Sequence, residues 1–416
     1  MIIYPSKLNG EITITGAKNA VLRYLAASIL TDKDIVLENY PVQMLDVIVH
    51  EEMLEALGKH VSHLIGNRCL ISGSIATSEL IWEKRSIRNT LLIMGCLLTK
   101  TGFAKVPLPG GCSLGDRKYD IHIELIKAFG GDVWEESGYI CAKCTGKLKG
   151  CDFHLRLRST GATENGILMA TLAEGTTRIW NPHIRPEILD LVKLLNKMGA
   201  DIVVNGSESI IINGKPNLTN SIIHESLSDN MQALTYLIAG AIAGNELVIR
   251  NFPFNDLEIP LYFLKFSGLE YYRKTNELIV RRCIPFPVDI STGPYPGINS
   301  DMQPLFAVWA AMSKGKSSIT DLRFRGRYAY ANELSKMGVV AKVVDNTLEI
   351  VGGTSIYGAS VTALDLRAGA ALLLMALVAD GPTIIKDFWM IERGYDSLEK
   401  VMSDIGIKFD NDDSKA

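Results

Sequence analysis

Apolar positions recur along the chain in a unit that begins with a short strand, passes a small or glycine-containing turn and enters an alanine- and leucine-rich helix. A glycine, a second strand ending near Asn or Asp, and often a second helix follow. The strand-like runs are short, and the helical runs carry apolar faces at helical spacing. The pattern predicts about six units of roughly 70 residues each. The copies begin at or near Glu11, Arg88, Phe153, Ser228, Val288 and Ala359.

The alternation of strands and helices implies an α/β protein rather than an all-α or all-β one. A chain of 416 residues is long enough for two or three domains or for one large repetitive architecture. Hydrophobic residues make up 47% and charged residues 21%, which is typical of a soluble globular protein with a sizeable core. No apolar run reaches the roughly 18 residues that span a bilayer, and the first residues do not resemble a secretory signal. We therefore expect a cytoplasmic location.

The formal net charge of -3 gives no overall basic character that would indicate a nucleic-acid partner. The turn between each first strand and its helix gathers glycine and polar residues, and a helix N-terminus there favours an anion. For any single copy, a glycine that only makes a tight turn, or a solvated surface arginine, is the commoner explanation. Several copies, however, carry Lys, Arg or Asp at the same place. Such a convergence suits a small ligand with several negative charges, because the arginine fork binds phosphate and carboxylate bidentately.

The seven cysteines are dispersed and do not form a disulfide framework. Cys141 and Cys144 are followed by Cys151 and His154, a spacing that resembles a zinc site. The pattern of this segment predicts a strand, a tight turn and a second strand. Residues three apart on a strand point to opposite faces, so Cys141 and Cys144 would diverge. Half-buried strand cysteines are therefore favoured over a metal site, and we expect no resident metal. Cys112 differs, because it follows a proline-glycine turn beside charged residues rather than lying on a strand or helix.

Six motifs in order connect the chain to a known family: "GAKNA", "LPGGC" with an arginine five residues later, "STGATEN", "TGPYPGINSDMQ", "LDLRAGAAL" and "ERGYDSLEKV". From about Gly10 to Phe409 the chain resembles the UDP-N-acetylglucosamine 1-carboxyvinyltransferase family of enolpyruvyl transferases. The cysteine loop separates this branch from the shikimate-pathway enolpyruvyl transferases. The resemblance implies a two-domain inside-out α/β barrel built from six βαβαββ-like units. Residues 1–18 with 227–416 would form one domain and 19–226 the other, with the active site in the cleft between them.

The resemblance implies transfer of enolpyruvyl from phosphoenolpyruvate to the 3′-hydroxyl of UDP-N-acetylglucosamine, with release of phosphate. That reaction is the first committed step of peptidoglycan precursor synthesis and serves cell-wall biogenesis, cell shape and division. The implied partners are these two small molecules, with no nucleic acid, membrane or cofactor. A thiol on a glycine loop near cations can deliver a proton. Cys112 is thus the expected general acid and the target of the epoxide fosfomycin, the alternative being a structural turn cysteine.

The resemblance also assigns roles to individual residues. Asp301 would act on the acceptor hydroxyl, although the residues alone support a helix N-cap about as well. The expected catalytic residues are Cys112, Asp301, Lys18, Asp365 and Arg393. The expected phosphoenolpyruvate ligands are Lys18, Asn19, Arg88, Arg117, Arg327, Arg367 and Arg393. The expected nucleotide-sugar contacts are Asn19, Arg88, Arg117, Lys118, Tyr119, Asp120, Ile121, Leu157, Ser159, Thr160, Gly161, Asp301 and Arg323.

The chain departs from the family pattern around the acceptor. Lys118 and Tyr119 follow Arg117 where the family has proline, Arg185 occupies an acidic position, and Asn230 and Gln232 replace charged residues. Two alternatives therefore stay open. One is an enolpyruvyl transferase acting on a different nucleotide or nucleotide sugar. The other is a catalytically weak nucleotide-sugar-binding regulatory protein, against which the retained thiol argues. The oligomeric state, and whether this is a main or second copy of the enzyme, are left undetermined by the sequence.

Overall fold

The computed structural model describes residues 1–110 and 119–411. These residues fall into two compact units. The discontinuous unit contains Met1–Thr15 and residues 228–411, and the middle unit contains residues 16–110 and 119–227. The expectations for Cys112, Arg117 and Lys118 lie outside the described residues.

The chain as far as Glu225 contains the first two strands of the discontinuous unit and all the described elements of the middle unit. Its strands are β1 (Ile2–Tyr4), β2 (Leu8–Thr13), β3 (Ile35–Glu38), β4 (His60–Leu64), β5 (Arg68–Ser72), β6 (Phe103–Pro107), β7 (Gly131–Glu136), β8 (Tyr139–Cys144), β9 (Asp152–His154), β10 (Thr176–Trp180), β11 (Ile202–Asn205), β12 (Ser209–Asn213) and β13 (Ile222–Glu225). Its helices are α1 (Lys18–Ser28), α2 (Leu45–Ala56), α3 (Thr90–Thr101), α4 (Asp120–Ala128), α5 (Thr160–Leu172) and α6 (Pro186–Met198).

The rest of the described chain belongs to the discontinuous unit. Its strands are β14 (Gly244–Arg250), β15 (Tyr271–Arg273), β16 (Glu277–Val280), β17 (Asp289–Ser291), β18 (Gly315–Thr320), β19 (Val340–Val344), β20 (Thr347–Gly352), β21 (Ser360–Thr362), β22 (Thr383–Lys386) and β23 (Lys408–Asp410). Its helices are α7 (Asn230–Ala243), α8 (Glu258–Phe266), α9 (Gln303–Met312), α10 (Ala329–Lys336), α11 (Leu366–Leu377), α12 (Trp389–Glu392) and α13 (Leu398–Asp404), with a 3₁₀ turn at Ser300–Met302 before α9.

Within the described ranges, the strands form six sheets, three in each unit. The sheet of β17 to β20 shows the shared plan. β18 pairs in parallel with β17, the strand before α9, and antiparallel with β20 of the β19–β20 hairpin. The five four-stranded sheets are mixed, and in each of them an inner strand follows a buried helix, whereas the three-stranded sheet of β6, β8 and β7 is antiparallel. The predicted α/β fold with six repeated units is therefore confirmed.

One strand is not in the copy to which the sequence pattern assigned it. The pattern placed the strand at Glu11 and helix α1 in one unit. In the structure, β2 pairs in parallel with β14, with Glu11 opposite Val248. The sheet that follows α1 instead takes β13 as its first strand, with Ile222 opposite Ile35. The apolar periodicity of the sequence shows only which neighbouring residues form an element. It could not predict these two strand pairs, because each joins segments about two hundred residues apart in the chain.

Each unit has its own apolar core, formed largely by the first helix of each repeat. In the discontinuous unit these helices, α7, α9 and α11, pack against one another. Every residue of α7 and α11 is buried, as expected for helices that are apolar on all sides. The turns that enter these helices must therefore carry the polar residues. No helix in the described ranges is both long and apolar enough to cross a membrane.

The cysteine spacing that resembled a zinc site is divided between two sheets. Cys141 and Cys144 both lie on β8, which pairs with β6 and β7. His154 ends β9, which pairs with β10 in another sheet, and Cys151 immediately precedes that strand. The predicted strand, turn and strand are present, but the two strands do not pair with each other. Cys141 and Cys144 are buried rather than half-buried.

Candidate functional site

Asp301 lies in the 3₁₀ turn that precedes α9. The side chain that caps this turn belongs to Asn299, whose Oδ1 accepts a hydrogen bond from the Asp301 N–H at 2.9 Å. The Asp301 carboxylate instead accepts a hydrogen bond from Nη1 of Arg327 at 2.8 Å. Its other oxygen is 4.0 Å from Nε of Arg367. The N-cap alternative for Asp301 is therefore wrong, and the carboxylate lies between two guanidinium groups.

Both of these arginines are buried, and Arg367 is only 1% exposed. Burial opposes the charge of Arg327, but Asp301 and Asp365 outweigh it and raise the pKa. For Arg367, burial is likewise outweighed by Tyr395 and Asp301, and the pKa is raised. Nε of Arg327, and Nε and Nη1 of Arg367, make no hydrogen bond with any residue in the described ranges. Because a guanidinium keeps its charge when buried, these N–H groups are suited to an anionic ligand.

Asp365 and Arg393 lie close to this pair of arginines. Asp365 caps α11, its Oδ1 accepting hydrogen bonds from the backbone N–H of Arg367 at 2.7 Å and of Ala368 at 3.0 Å. Arg393 is buried at the end of α12. A Cβ at the next residue, Gly394, would lie 3.5 Å from Nη1 of Arg367. The structure therefore brings together Asp301, Arg327, Asp365 and Arg367, with the Arg393 backbone beside them.

A buried carboxylate that the sequence analysis did not single out organises the neighbouring loop. Asp321 is fully buried directly after β18. It accepts hydrogen bonds from Thr292 Oγ1 (2.9 Å), Gln303 Nε2 (2.7 Å), the Arg323 N–H (2.8 Å) and the Phe324 N–H (2.9 Å), as well as from the Ser300 hydroxyl. Asp321 thereby ties the turn before α9 to the loop that carries Arg323 and Arg327. An aspartate directly after a predicted strand was the available signal. Arg323 itself is exposed.

Lys18 is the first residue of α1 in the middle unit and is buried. Its Nζ lies 3.2 Å from Oδ2 of Asp46, whose Oδ1 accepts a hydrogen bond from Nη2 of Arg85 at 2.9 Å. Asn19 follows on the same helix and is half-buried. The N-cap residue of α1 is Ala17, whose methyl side chain cannot cap the helix, so the positive dipole end of α1 lies beside the ammonium group. Asp46 and Arg85 were not anticipated from the sequence.

A second polar group in the middle unit surrounds the start of α5. Ser159 caps this helix, accepting a hydrogen bond from the Ala162 N–H at 3.4 Å. A Cβ at Gly161 would lie 3.2 Å from Nε2 of His122, so a larger residue there would press on the imidazole. Burial, followed by the charge of Arg88, lowers the pKa of His122 to about 3. Arg88 is thus close enough to His122 to act on its imidazole electrostatically, and His122 lies beside Gly161.

The other predicted nucleotide-sugar residues have internal partners. Thr160 Oγ1 lies 2.7 Å from Nδ1 of His183. Asp120, the first residue of α4, forms an ion pair with Arg156. The Tyr119 hydroxyl donates to Glu135, and burial together with this bond raises the pKa of Tyr119 to about 12. Ile121 is buried and Leu157 half-buried in the core of the middle unit.

The departures from the family pattern are accommodated locally. Arg185 donates two hydrogen bonds of 2.6 Å to Glu187, two residues along the chain at the start of α6. Its positive charge in an acidic position is therefore neutralised within the middle unit. Asn230 begins α7 and is buried, and Gln232 Nε2 donates to Thr15 Oγ1 at 3.3 Å. Neither replacement leaves a charge in the core of the discontinuous unit.

Comparison with known proteins agrees with this architecture. The chain is 38% identical over 416 residues, 98% of each chain, to a UDP-N-acetylglucosamine 1-carboxyvinyltransferase of Rickettsia akari. It is 37% identical over 406 residues, 96% of each chain, to UDP-N-acetylglucosamine 1-carboxyvinyltransferase 2 of Clostridium tetani. These relatives confirm the resemblance drawn from the motifs.

Solved structures share the fold. The enolpyruvyl transferase NikO from Streptomyces tendae matches with a TM-score of 0.88 at 23% identity, over 98% of this chain and 97% of that one. EPSP synthase from Acinetobacter baumannii matches with a TM-score of 0.77 at 16% identity, over 99% of both chains. The model of the EPSP synthase (3-phosphoshikimate 1-carboxyvinyltransferase) family matches residues 3–402. The chain therefore belongs to this family of carboxyvinyltransferases.

Proposed function

We propose that this protein transfers the enolpyruvyl group of phosphoenolpyruvate to the 3′-hydroxyl of UDP-N-acetylglucosamine and releases phosphate. The observation that carries the proposal is the 38% identity, over 98% of both chains, to the Rickettsia akari relative of that name. By this proposal the protein acts in the cytoplasm on two small molecules, in the first committed step of peptidoglycan precursor synthesis. Nothing observed favours a different acceptor or a regulatory role.

The proposed reaction is an addition followed by an elimination. The acceptor oxygen forms a bond to C2 of phosphoenolpyruvate, C3 gains a proton, and the hydroxyl loses its own. In the second step C3 gives up a proton and the bond from C2 to the phosphate oxygen breaks. No electrons are exchanged with an external partner, so the reaction needs acid, base and charge stabilisation rather than a redox group.

Within the discontinuous unit, we assign the acceptor hydroxyl to Asp301. Its side chain is 27% exposed, so a carboxylate oxygen can reach a substrate while Arg327 holds the other side of the group. Arg327, Arg367 and Arg393 would bind the phosphate and carboxylate, for which the N–H groups of Arg367 that lack partners in the described ranges are suited. Asp365 would share proton transfer and, as the α11 cap, position Arg367. Arg323 would contact the nucleotide.

Within the middle unit, we assign Lys18, Asn19 and Arg88 to the same substrates. The Lys18 ammonium lies at the start of α1, where a helix N-terminus favours an anion. Arg88 precedes α3 and acts electrostatically on His122, which lies beside Gly161. The proposed nucleotide-sugar contacts of this unit are Tyr119, Asp120, Ile121, Leu157, Ser159, Thr160 and Gly161. Cys112 as general acid and fosfomycin target, Arg117 as a phosphoenolpyruvate ligand and Lys118 as a nucleotide contact are proposed from the motif alone.

The test is phosphate release by the full chain, incubated with phosphoenolpyruvate and a panel of UDP-sugars and free nucleotides. We expect release with UDP-N-acetylglucosamine and little with the other acceptors. Release with another acceptor alone would contradict the assigned substrate. Silence across the panel, with saturable nucleotide-sugar binding, would contradict the assignment as an enzyme.

A cysteine variant tests the proposed acid. We expect Cys112→Ser to lose most of its turnover and to bind UDP-N-acetylglucosamine nearly unchanged, because the hydroxyl is a much poorer acid than the thiol. Cys151→Ser is the matched control, since Cys151 is half-buried beside β9 and has no assigned role. Comparable turnover in Cys112→Ser and Cys151→Ser would remove the thiol from the mechanism.

A further inference from the structure

We propose that Glu51, His63 and Cys69 of the middle unit bind a zinc ion. Glu51 lies on α2, and His63 and Cys69 lie on β4 and β5, at the end of the sheet ordered β13, β3, β5, β4. One ligand atom from each residue lies within 4.8 Å of the other two. The site is separate from every residue assigned above to substrate binding or catalysis.

The fold brings the three ligands together for a definite reason. His63 and Cys69 are directly opposite each other in the antiparallel β4–β5 pair. Opposed residues of such a pair project to the same face of the sheet, so the imidazole and the thiol are neighbours. Helix α2 packs against β4 and supplies Glu51 to that face. The ligands thus come from three elements of one rigid repeat.

The chemistry of the ligand set favours zinc. A thiolate, an imidazole and a carboxylate are the ligand types that Zn²⁺ accepts, and three protein ligands leave a fourth position for water. Ligand atoms about 3.5 Å apart are needed for tetrahedral bonds of ordinary length. His63 Nε2 lies 3.0 Å from Glu51 Oε1, so the ion requires only a small separation of these two groups. His63 can make that movement because its side chain is 43% exposed.

The residues around the cluster hold the Glu51 carboxylate in place and leave a route from solvent for the ion. The buried Tyr40 hydroxyl donates a hydrogen bond to Oε1 of Glu51 at 2.6 Å, which orients the carboxylate as an outer partner of a metal ligand does. Cys69 is fully buried, whereas His63 faces solvent on β4, the last strand of the sheet. An ion can therefore reach the thiol from the side of His63.

Zn²⁺ would bind the Cys69 sulfur as the thiolate, with the Glu51 carboxylate as a second negative ligand. As Zn²⁺ binds, the S–H bond of Cys69 breaks, a sulfur–zinc bond forms and the proton passes to solvent. Without the ion, the same residues form a hydrogen-bonded group of Tyr40, Glu51 and His63.

The test uses the full chain after treatment with a chelator, titrated with cobalt(II) chloride as a coloured substitute for zinc. We expect one tightly bound cobalt ion per chain, with intense tetrahedral ligand-field bands and a sulfur-to-cobalt charge-transfer band, and displacement of both by zinc sulfate. Cys69→Ser should lose the charge-transfer band. His63→Gln should weaken binding by more than about 10-fold, and Tyr40→Phe by about 10-fold.

Two controls separate this site from other thiols. Cys112→Ser and Cys151→Ser should both keep the charge-transfer band, because neither thiol belongs to the cluster. His63→Gln should keep the phosphate-release activity of the unaltered chain, because His63 has no role in the proposed reaction. Because His63 is exposed, the His63→Gln variant still tests the site if the buried Cys69→Ser variant folds poorly. Absence of a thiolate band in the unaltered chain, persistence of that band in Cys69→Ser, or equal affinity in His63→Gln would overturn the proposal.

Discussion

The two units share a repeated topology but bury different kinds of base. All seven histidines of the chain fall in the middle unit, and the discontinuous unit has none. Three of them, His50, His122 and His224, are buried. Burial is the main reason that the pKa values of His50 and His122 are each lowered to about 3, while His224 lies 3.0 Å from Asp190. The discontinuous unit buries Arg327, Arg367 and Arg393 instead. The same fold therefore buries imidazoles, with Lys18 and Lys59, in the middle unit and guanidinium groups in the discontinuous unit.

This difference shows how residue type decides what a buried position can do. An imidazole avoids the unfavourable free energy of a buried charge by losing its proton, whereas a guanidinium cannot do so. A buried arginine needs an acid or an anionic ligand nearby. Asp301 supplies negative charge to Arg327 and Arg367, and Asp365 supplies more to Arg327. Nε of Arg327, and Nε and Nη1 of Arg367, still make no hydrogen bond within the described ranges. In the middle unit, we propose that Lys18 and Arg88 bind the anionic groups.

Asp46 of the middle unit and Asp301 of the discontinuous unit each contact two cationic side chains, but they differ in solvent exposure. Asp46 holds Lys18 and Arg85, and Asp301 holds Arg327 and Arg367. The Asp46 side chain is almost entirely buried, while that of Asp301 is 27% exposed. This difference in exposure favours a structural role for Asp46 and supports the proposal that Asp301 contacts substrate.

The largest expected effect comes from exchanging these two carboxylates for amides. We expect Asp301→Asn to lower the turnover number by about 100-fold or more, because the amide cannot accept the acceptor's proton. Asp46→Asn should instead lower the free energy of unfolding by about 3 kcal/mol, because two cations lose their buried partner. Phosphate release and urea unfolding of both variants measure these effects. Equal losses of turnover in the two variants would break the comparison.

The next effect concerns the fixed charge of the discontinuous unit. We expect Arg367→Lys to lower kcat/KM for phosphoenolpyruvate by about 100-fold, because an ammonium group cannot replace the planar fork. Arg325→Lys is the matched control, since Arg325 is exposed in the same unit. Steady-state kinetics with varied phosphoenolpyruvate measure the difference. An unchanged kcat/KM in Arg367→Lys would show that a point charge suffices.

A smaller effect, on stability, is expected at Asp321, whose carboxylate accepts all its hydrogen bonds from groups of the protein. Asp321→Asn replaces an acceptor of several buried hydrogen bonds by a group that must also donate. We expect the free energy of unfolding to fall by about 2 kcal/mol. Asp289→Asn, at an exposed site one strand away, is the control. Chemical denaturation followed by tryptophan fluorescence measures both, and an unaltered stability of Asp321→Asn would remove its structural role.

The smallest effect per residue is the response to mild acid, which should separate the two units. The folded pKa of His50 and of His122, about 3, lies below the ordinary value of 6.5. Their contribution to stability is therefore complete above pH 6.5 and is lost as the pH falls towards 3. At about pH 5.5 each of these two histidines should lower the free energy of unfolding by about 1.4 kcal/mol. We expect amide hydrogen exchange to accelerate first in the middle unit.

Variants give this pH prediction a control. His50→Gln should reduce the dependence of middle-unit stability on pH between 7 and 5.5, because an amide does not titrate. His154→Gln, at an exposed position on β9, should leave that dependence unchanged. Exchange that accelerates in both units together, or first in the discontinuous unit, would contradict the distinction between titrating and fixed buried bases.

The sequence by itself determined the repeat and the chemistry of its turns. Apolar spacing is local, so it identified helices such as α1, α5, α9 and α11 and the polar turns before them, and it predicted six units that the structure contains as six sheets. The motifs named the family that the comparisons confirm. Neither the apolar spacing nor the motifs predicted the partners of β2, Asp301, Asp321 and Cys69.

Only the tertiary structure decided those partners, because each depends on segments far apart in the chain. β2 finds β14 across more than two hundred residues, and Arg367 reaches Asp301 from another repeat. Cys69, an ordinary strand cysteine in the sequence, acquires an imidazole and a carboxylate only when β4 and α2 pack beside it. Local periodicity fixes which face of an element is buried, whereas register and packing between distant elements fix which buried groups meet.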